Sequence, residues 1–196
     1  MIPIQLQPEP EDFFERVKKD GRKFLSENPQ PTSKEWKGKE YWQRSLPNMR
    51  QAYKKICAYC CHWIPHSTGS HSIDHFIPKS QQPNLAYDWA NFRYVSARFN
   101  SRKGTKTILD PFEILDESFI IDFKSFLIHP NSNLLPEEKK AARETIKRLK
   151  LNSDDDLVKE RQTYFLDYQA GEISFEHLVK RAPLIAYEIL RQGEEI

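Results

Sequence analysis

The chain has few cysteines, and all three lie together between Cys57 and Cys61. That clustering excludes a disulfide scaffold. No apolar run approaches the ~20 residues of a membrane span. The opening Met1-Ile2-Pro3-Ile4-Gln5 lacks the basic start and apolar core of a secretion signal. Internal repeats and low-complexity tracts are missing as well. These absences predict a cytoplasmic protein with no membrane partner. What is present is 196 residues, 38% hydrophobic and 30% charged. That suffices for one good core, or for a small domain with a helical extension.

The net charge of +2 is unevenly spread. Residues 50–110 carry nine basic and three acidic side chains, whereas residues 111–196 carry 12 and 17. The basic excess is the bias expected of a surface that approaches phosphates, although six extra charges also suit an ordinary solvated face.

Phe13, Phe14, Val17, Phe24 and Leu25 recur at helical spacing and predict a helix over 11–28, with Gly21 interrupting the stripe. Residues 29–47 read as an irregular connection, and 48–55 as a short helix. Trp63-Ile64 and Ser72–Ile77 are expected as paired strands, with the turn at His66–Ser70. A loop over 79–90 then leads to a helix over 92–102. Further on, 119–123 and 125–128 read as short strands. Helices are expected over 136–150, 155–169 and 174–191. Pro136 opens the first of these and Ser174 caps the last, in which Pro183 marks a kink or a new start.

Within this frame lies Ile73-Asp74-His75-Phe76-Ile77-Pro78-Lys79-Ser80. Asn91 follows 16 residues after His75, and Asn100-Ser101-Arg102-Lys103-Gly104 begins nine later. Hydrolysing a phosphodiester requires a base for the water and a cation on the oxygens that gain charge. Histidine suits the first task, provided its other ring nitrogen has a partner. Aspartate is a hard oxygen ligand suited to the second. On a strand Asp74 and His75 point to opposite faces, so a bend after the strand is needed to bring both to one site. Read singly, each residue has a plainer explanation: a turn, a cap or a surface charge.

This constellation resembles the HNH endonucleases over about residues 56–105. The resemblance implies an α+β fold, with a ββα-metal finger embedded in a mostly helical chain. It implies that His75 is the general base and that Asn91 orders the loop and orients His75. Asp74 and Asn100 would be ligands of one divalent ion, Mg²⁺ or Mn²⁺, and Lys103 would face the phosphate. Arg93, Arg98, Arg102, Lys106 and Lys79 would add charge toward the backbone of double-stranded DNA. No element is long enough to read bases in the major groove, so nonspecific cutting is expected. The organisation expected is an N-terminal helical segment over 1–49, a nuclease core over 50–110 and a partner-docking region over 111–196.

Many members of that family hold a structural zinc with two Cys-x-x-Cys pairs. Cys57 and Cys60 match the first pair, but Ser96 and Phe99 stand at the positions of the second. The expectation is therefore no zinc, with Phe99 packed against Cys57, Cys60 and Tyr59. A competing reading completes the set with Cys61, His62, His66 or His71. Cys57-Ala58-Tyr59-Cys60, Tyr87–Asn91, Leu109–Phe112 and Thr145–Asn152 are similar to nuclease subunits of Septu and some retron systems. That likeness implies an anti-phage role beside an ATPase. Two alternatives stay open: a binding or scaffold module with a weak site, and a toxin that cuts RNA.

Overall fold

The computed structural model describes residues 1–193. The last three positions of the region expected over 111–196 lie outside them. The chain divides into two compact units. One comprises Gln5–Lys55 and Ile64–Thr107. The other comprises Met1–Ile4, Ile56–Trp63 and the chain from Ile108 onward. The class is α+β, with helices and two separate two-stranded antiparallel sheets among the described residues.

The first unit opens with a π-helical turn, Phe14–Lys18, that runs into α1, Lys19–Glu27. Phe13, Val17 and Phe24 are its buried face, whereas Phe14 is exposed and Leu25 half-buried, so the stripe is narrower than the five-residue spacing predicts. Gly21 has a packing reason for interrupting that stripe. The Tyr87 ring lies against the helix there, and a Cβ on residue 21 would sit 2.3 Å from Tyr87 Cγ. The connection expected to be irregular contains a 3₁₀ turn, Tyr41–Ser45, which leads directly into α2, Leu46–Ala52.

Strand β1, His71–His75, pairs antiparallel with β2, Phe92–Ser96, in the register Ile73↔Tyr94 and His75↔Phe92. Helix α3, Ala97–Lys103, follows at once. This corrects the helix expected over 92–102, because its first half is a strand. Phe92, Tyr94 and Val95 are aromatic or β-branched and buried. Such side chains fit a pleated surface better than a helical one. Trp63 is not the partner of β1; it forms an isolated bridge to Ile56 in the other unit. At the end of α3, Gly104 takes φ +56° and ψ −129°, a conformation open to glycine and strained for any other residue.

The second unit holds β3, Phe119–Asp122, paired antiparallel with β4, Leu127–Pro130. Four helices follow: α4, Pro136–Leu149; α5, Asp155–Gln169; α6, Phe175–Arg181; and α7, Pro183–Gln192. Pro136 and Ser174 open their helices as expected, and Ser174 Oγ accepts from His177 N–H at 3.1 Å. Pro183 starts a new helix instead of kinking one, because the residue before a proline is driven out of the helical region. Ala182 accordingly has φ −140°.

The outer edges of this small sheet are engaged by side chains. Asn152 accepts from Ile128 N–H and donates to Ile128 C=O, both at 2.8 Å. On the other edge, Glu188 accepts from Ile121 N–H at 3.0 Å and Gln192 donates to Ile121 C=O at 2.8 Å. Glu188 is buried, and the Arg191 guanidinium donates to its carboxylate from Nε. In the same unit, Cys57 N–H donates to the His62 carbonyl and Cys61 N–H to the Cys57 carbonyl, both at 2.9 Å. Cys61 closes this turn with φ +58°.

Candidate active site

The residues singled out by the motif fall in the first unit, at the end of β1 and along α3. His75 is the last residue of β1, so the chain bends directly after it. Asp74 and His75 consequently line the same cleft despite their alternation along the strand. That cleft has a volume of about 150 Å³, and Lys79, Ser80, Asn100 and Thr105 also line it.

The His75 ring is tightly placed. Trp42 meets it edge-on with centroids 4.7 Å apart, and Phe92 does so at 5.4 Å. Its Nε2 is 2.9 Å from the Ala86 carbonyl. A carbonyl can only accept, so Nε2 carries the proton and Nδ1 keeps its lone pair. Burial pushes the imidazole pKa down to about 4, and the nearby Lys79 and Lys103 charges add to that. The ring is therefore neutral near pH 7, which is the state a general base needs.

Asn91 fixes the loop that supplies this carbonyl. Its Oδ1 accepts from Ile77 N–H at 2.8 Å, and its Nδ2 donates to Ile77 C=O at 3.0 Å and Leu85 C=O at 3.2 Å. Its own carbonyl accepts from Phe76 N–H at 2.9 Å. One buried side chain thus ties both ends of the 76–85 segment, and Ala86 follows directly.

Asn100 commits Nδ2 to Ser72 Oγ at 2.7 Å and to the Ile73 carbonyl at 3.1 Å. Its Oδ1 is left as the open oxygen on the cleft wall. Asp74 and Asn100 together offer a carboxylate and an amide oxygen, the hard donors preferred by a small divalent cation. The Asp74 carboxylate already receives Lys103 Nζ, at 3.2 Å on Oδ1 and 3.0 Å on Oδ2. The donor set fits the ion.

Lys103 does not face outward to a phosphate. It is fully buried, it pairs with Asp74, and it donates to the His75 carbonyl at 3.0 Å. Arg93 is likewise buried rather than exposed to a backbone. It donates to the Ala90 and Phe92 carbonyls at 2.8 and 3.0 Å and lies over the Phe76 ring. The cation that does reach the cleft is Lys79, whose Nζ sits 5.2 Å from the Trp36 ring and 5.7 Å from the Trp42 ring. Arg98 is exposed on α3, and Arg102 lies over Phe99, which is buried.

In the other unit, Cys57, Cys60 and Cys61 are buried thiols outside any disulfide. Burial, with Cys57 alongside, pushes the Cys60 thiol well above the usual range. His62 pairs through Nδ1 with Glu160 at 3.0 Å. Among the described residues, no three His, Cys, Asp or Glu side chains come together as a metal-holding group. No described helix is long and apolar enough to cross a membrane.

Two site components were not anticipated. Trp42 comes from the segment expected to be an irregular connection, in which Tyr41-Trp42 is an aromatic pair within a polar stretch. The Ala86 carbonyl left no trace in the sequence. No known family model matches this chain, and no curated protein matches it in sequence.

Proposed function

We propose that the chain is a metal-dependent endonuclease of the HNH type, with a ββα-metal finger, that hydrolyses DNA. The observation that carries this reading is His75. It is a neutral imidazole with Nε2 committed to a carbonyl, on a cleft wall shared with Asp74, Asn100 and Lys79. A core histidine does not require a cleft, an acid beside it and a lysine across from it.

His75 takes a proton from water at Nδ1. Asn91 keeps the 76–85 loop in place, so that the Ala86 carbonyl holds the ring in one tautomer. Lys79 draws the phosphate into the cleft. Asp74 and Asn100 would hold the divalent ion, Mg²⁺ or Mn²⁺, which when bound would supply Lewis acidity to the phosphate oxygens. A role in anti-phage defence beside an ATPase rests on the resemblance alone. The flanking genes test it: an adjacent ATPase gene supports it, and an adjacent integrase or terminase gene counts against it.

The buried Lys103–Asp74 pair favours a second reading, a phosphate-binding finger that does not cut. Plasmid nicking by the purified chain in Mg²⁺ or Mn²⁺ separates the two. The expected result is cutting by the wild type and loss of cutting in His75→Ala, with unchanged circular dichroism. Retained cutting in that variant overturns the assignment of His75, and a wild type inert in both metals supports the binding module.

A further inference from the structure

The polar cleft has a larger neighbour in the same unit. A second lobe of about 360 Å³ is lined by Trp42, Gln43, Leu46, His71 and Ser72. Ile73, His75, Lys79 and Asn100 line both lobes. The two lobes therefore share as a common wall groups assigned to the phosphate. Its volume falls within the range of about 300–1,000 Å³ typical of small-molecule sites, which is more than one phosphate requires.

We propose that this lobe is a nucleobase subsite, so that the nucleotide beside the scissile phosphate binds with its base out of the stack. The proposal rests on the nuclease reading for the phosphate lobe. Three features select a base as the occupant. Leu46 and the margin of Trp42, whose ring is otherwise packed against Trp36, Tyr87 and His75, offer an apolar wall to a base. Gln43 is exposed at the rim, and its amide carries the donor and acceptor that pair with base edges. Lys79 and His75 line both lobes, so a phosphate held there would have the second lobe beside it. A paired and stacked base cannot enter a pocket, so the preferred substrate has an unpaired nucleotide at the cut: a single strand, a bulge or an extruded base.

The test uses the full chain in chelator and the probes deoxyadenosine 5′-monophosphate and 2-deoxyribose 5-phosphate, titrated calorimetrically. The expected result is at least tenfold tighter binding of the nucleotide. Gln43→Trp, which fills the lobe from an exposed position, should reduce that ratio to about one. Leu46→Ala should lower it by a lesser factor. Equal affinities in the wild type, or a ratio that Gln43→Trp does not change, overturn the subsite. A parallel assay compares cutting of a bulged and a fully paired oligonucleotide. Faster cutting of the bulged strand, lost in Gln43→Trp, supports the proposal. Equal rates unaffected by the variant overturn the proposal while leaving the nuclease reading intact. Selective nucleotide binding by a chain that cuts nothing sustains the subsite and removes the nuclease.

Discussion

Lys103 Nζ lies 3.0 Å from Asp74 Oδ2, and the two side chains are 0% and 3% exposed. Removing either charge leaves the other buried without its counter-charge, at a cost of about 3–5 kcal/mol. Lys103→Met should therefore destabilise the chain by that amount in urea unfolding. Adding Asp74→Asn should restore much of the loss, because an amide costs far less to bury than a lone carboxylate. Purely additive losses would show that the pair is not coupled.

Asn91 carries three side-chain hydrogen bonds to the 77–85 backbone. Each buried bond contributes about 0.5–1.5 kcal/mol, so Asn91→Ala should cost roughly 2–4 kcal/mol and raise amide exchange in residues 76–86 first. Asn91→Asp should be as harmful, because it sets a carboxylate against the Ile77 and Leu85 carbonyls. Exchange that stays slow in that loop would contradict the anchoring role.

His75 titrates near 4 when folded and near 6.5 when unfolded. Between those values the unfolded chain binds more protons, so stability rises with pH and is lost as pH falls from 6.5 toward 4. In chelator, unfolding free energy should drop by about 1–2 kcal/mol from pH 7 to pH 5, at 1.36 kcal/mol per pKa unit. His75→Gln should flatten that slope. An equal slope in wild type and variant would assign the pH dependence to other groups.

Gly21→Ala sets two effects against each other. Helix propensity favours alanine by up to about 1 kcal/mol. The new Cβ, 2.3 Å from Tyr87 Cγ, forces repacking that costs about 1–3 kcal/mol. Tyr87 is also held by a 2.8 Å bond from its hydroxyl to the Lys39 carbonyl, so it cannot simply swing away. The variant should be less stable in thermal melts, whereas Gly21→Ala combined with Tyr87→Ala should be less harmful than the sum of the two changes.

The grouping of the motif was legible because Asp74, His75, Asn91 and Asn100 stand in order: Asp74, His75 and Asn100 line one cleft, and Asn91 anchors the loop behind it. The burial of Lys103 and Arg93 was not legible. A lysine and an arginine read as surface charges until a buried Asp74, or a Phe76 ring that both cations overlie, is known to be beside them. The boundary between β2 and α3 departs from the helix expected over 92–102, because Phe92, Tyr94 and Val95 carry side chains that favour a strand. Trp42 lies 33 positions from His75, and only the fold brings them together.

Asn152 on one side and Glu188 with Gln192 on the other take up the outward backbone groups of Ile128 and Ile121. Polypeptides that bind by extending a sheet need such groups free. At these positions an incoming strand would first have to displace a bidentate amide or a buried carboxylate. At Ile121 and Ile128, then, the sheet edge is guarded by the unit's own side chains, and strand addition there carries the cost of breaking two internal hydrogen bonds on either side.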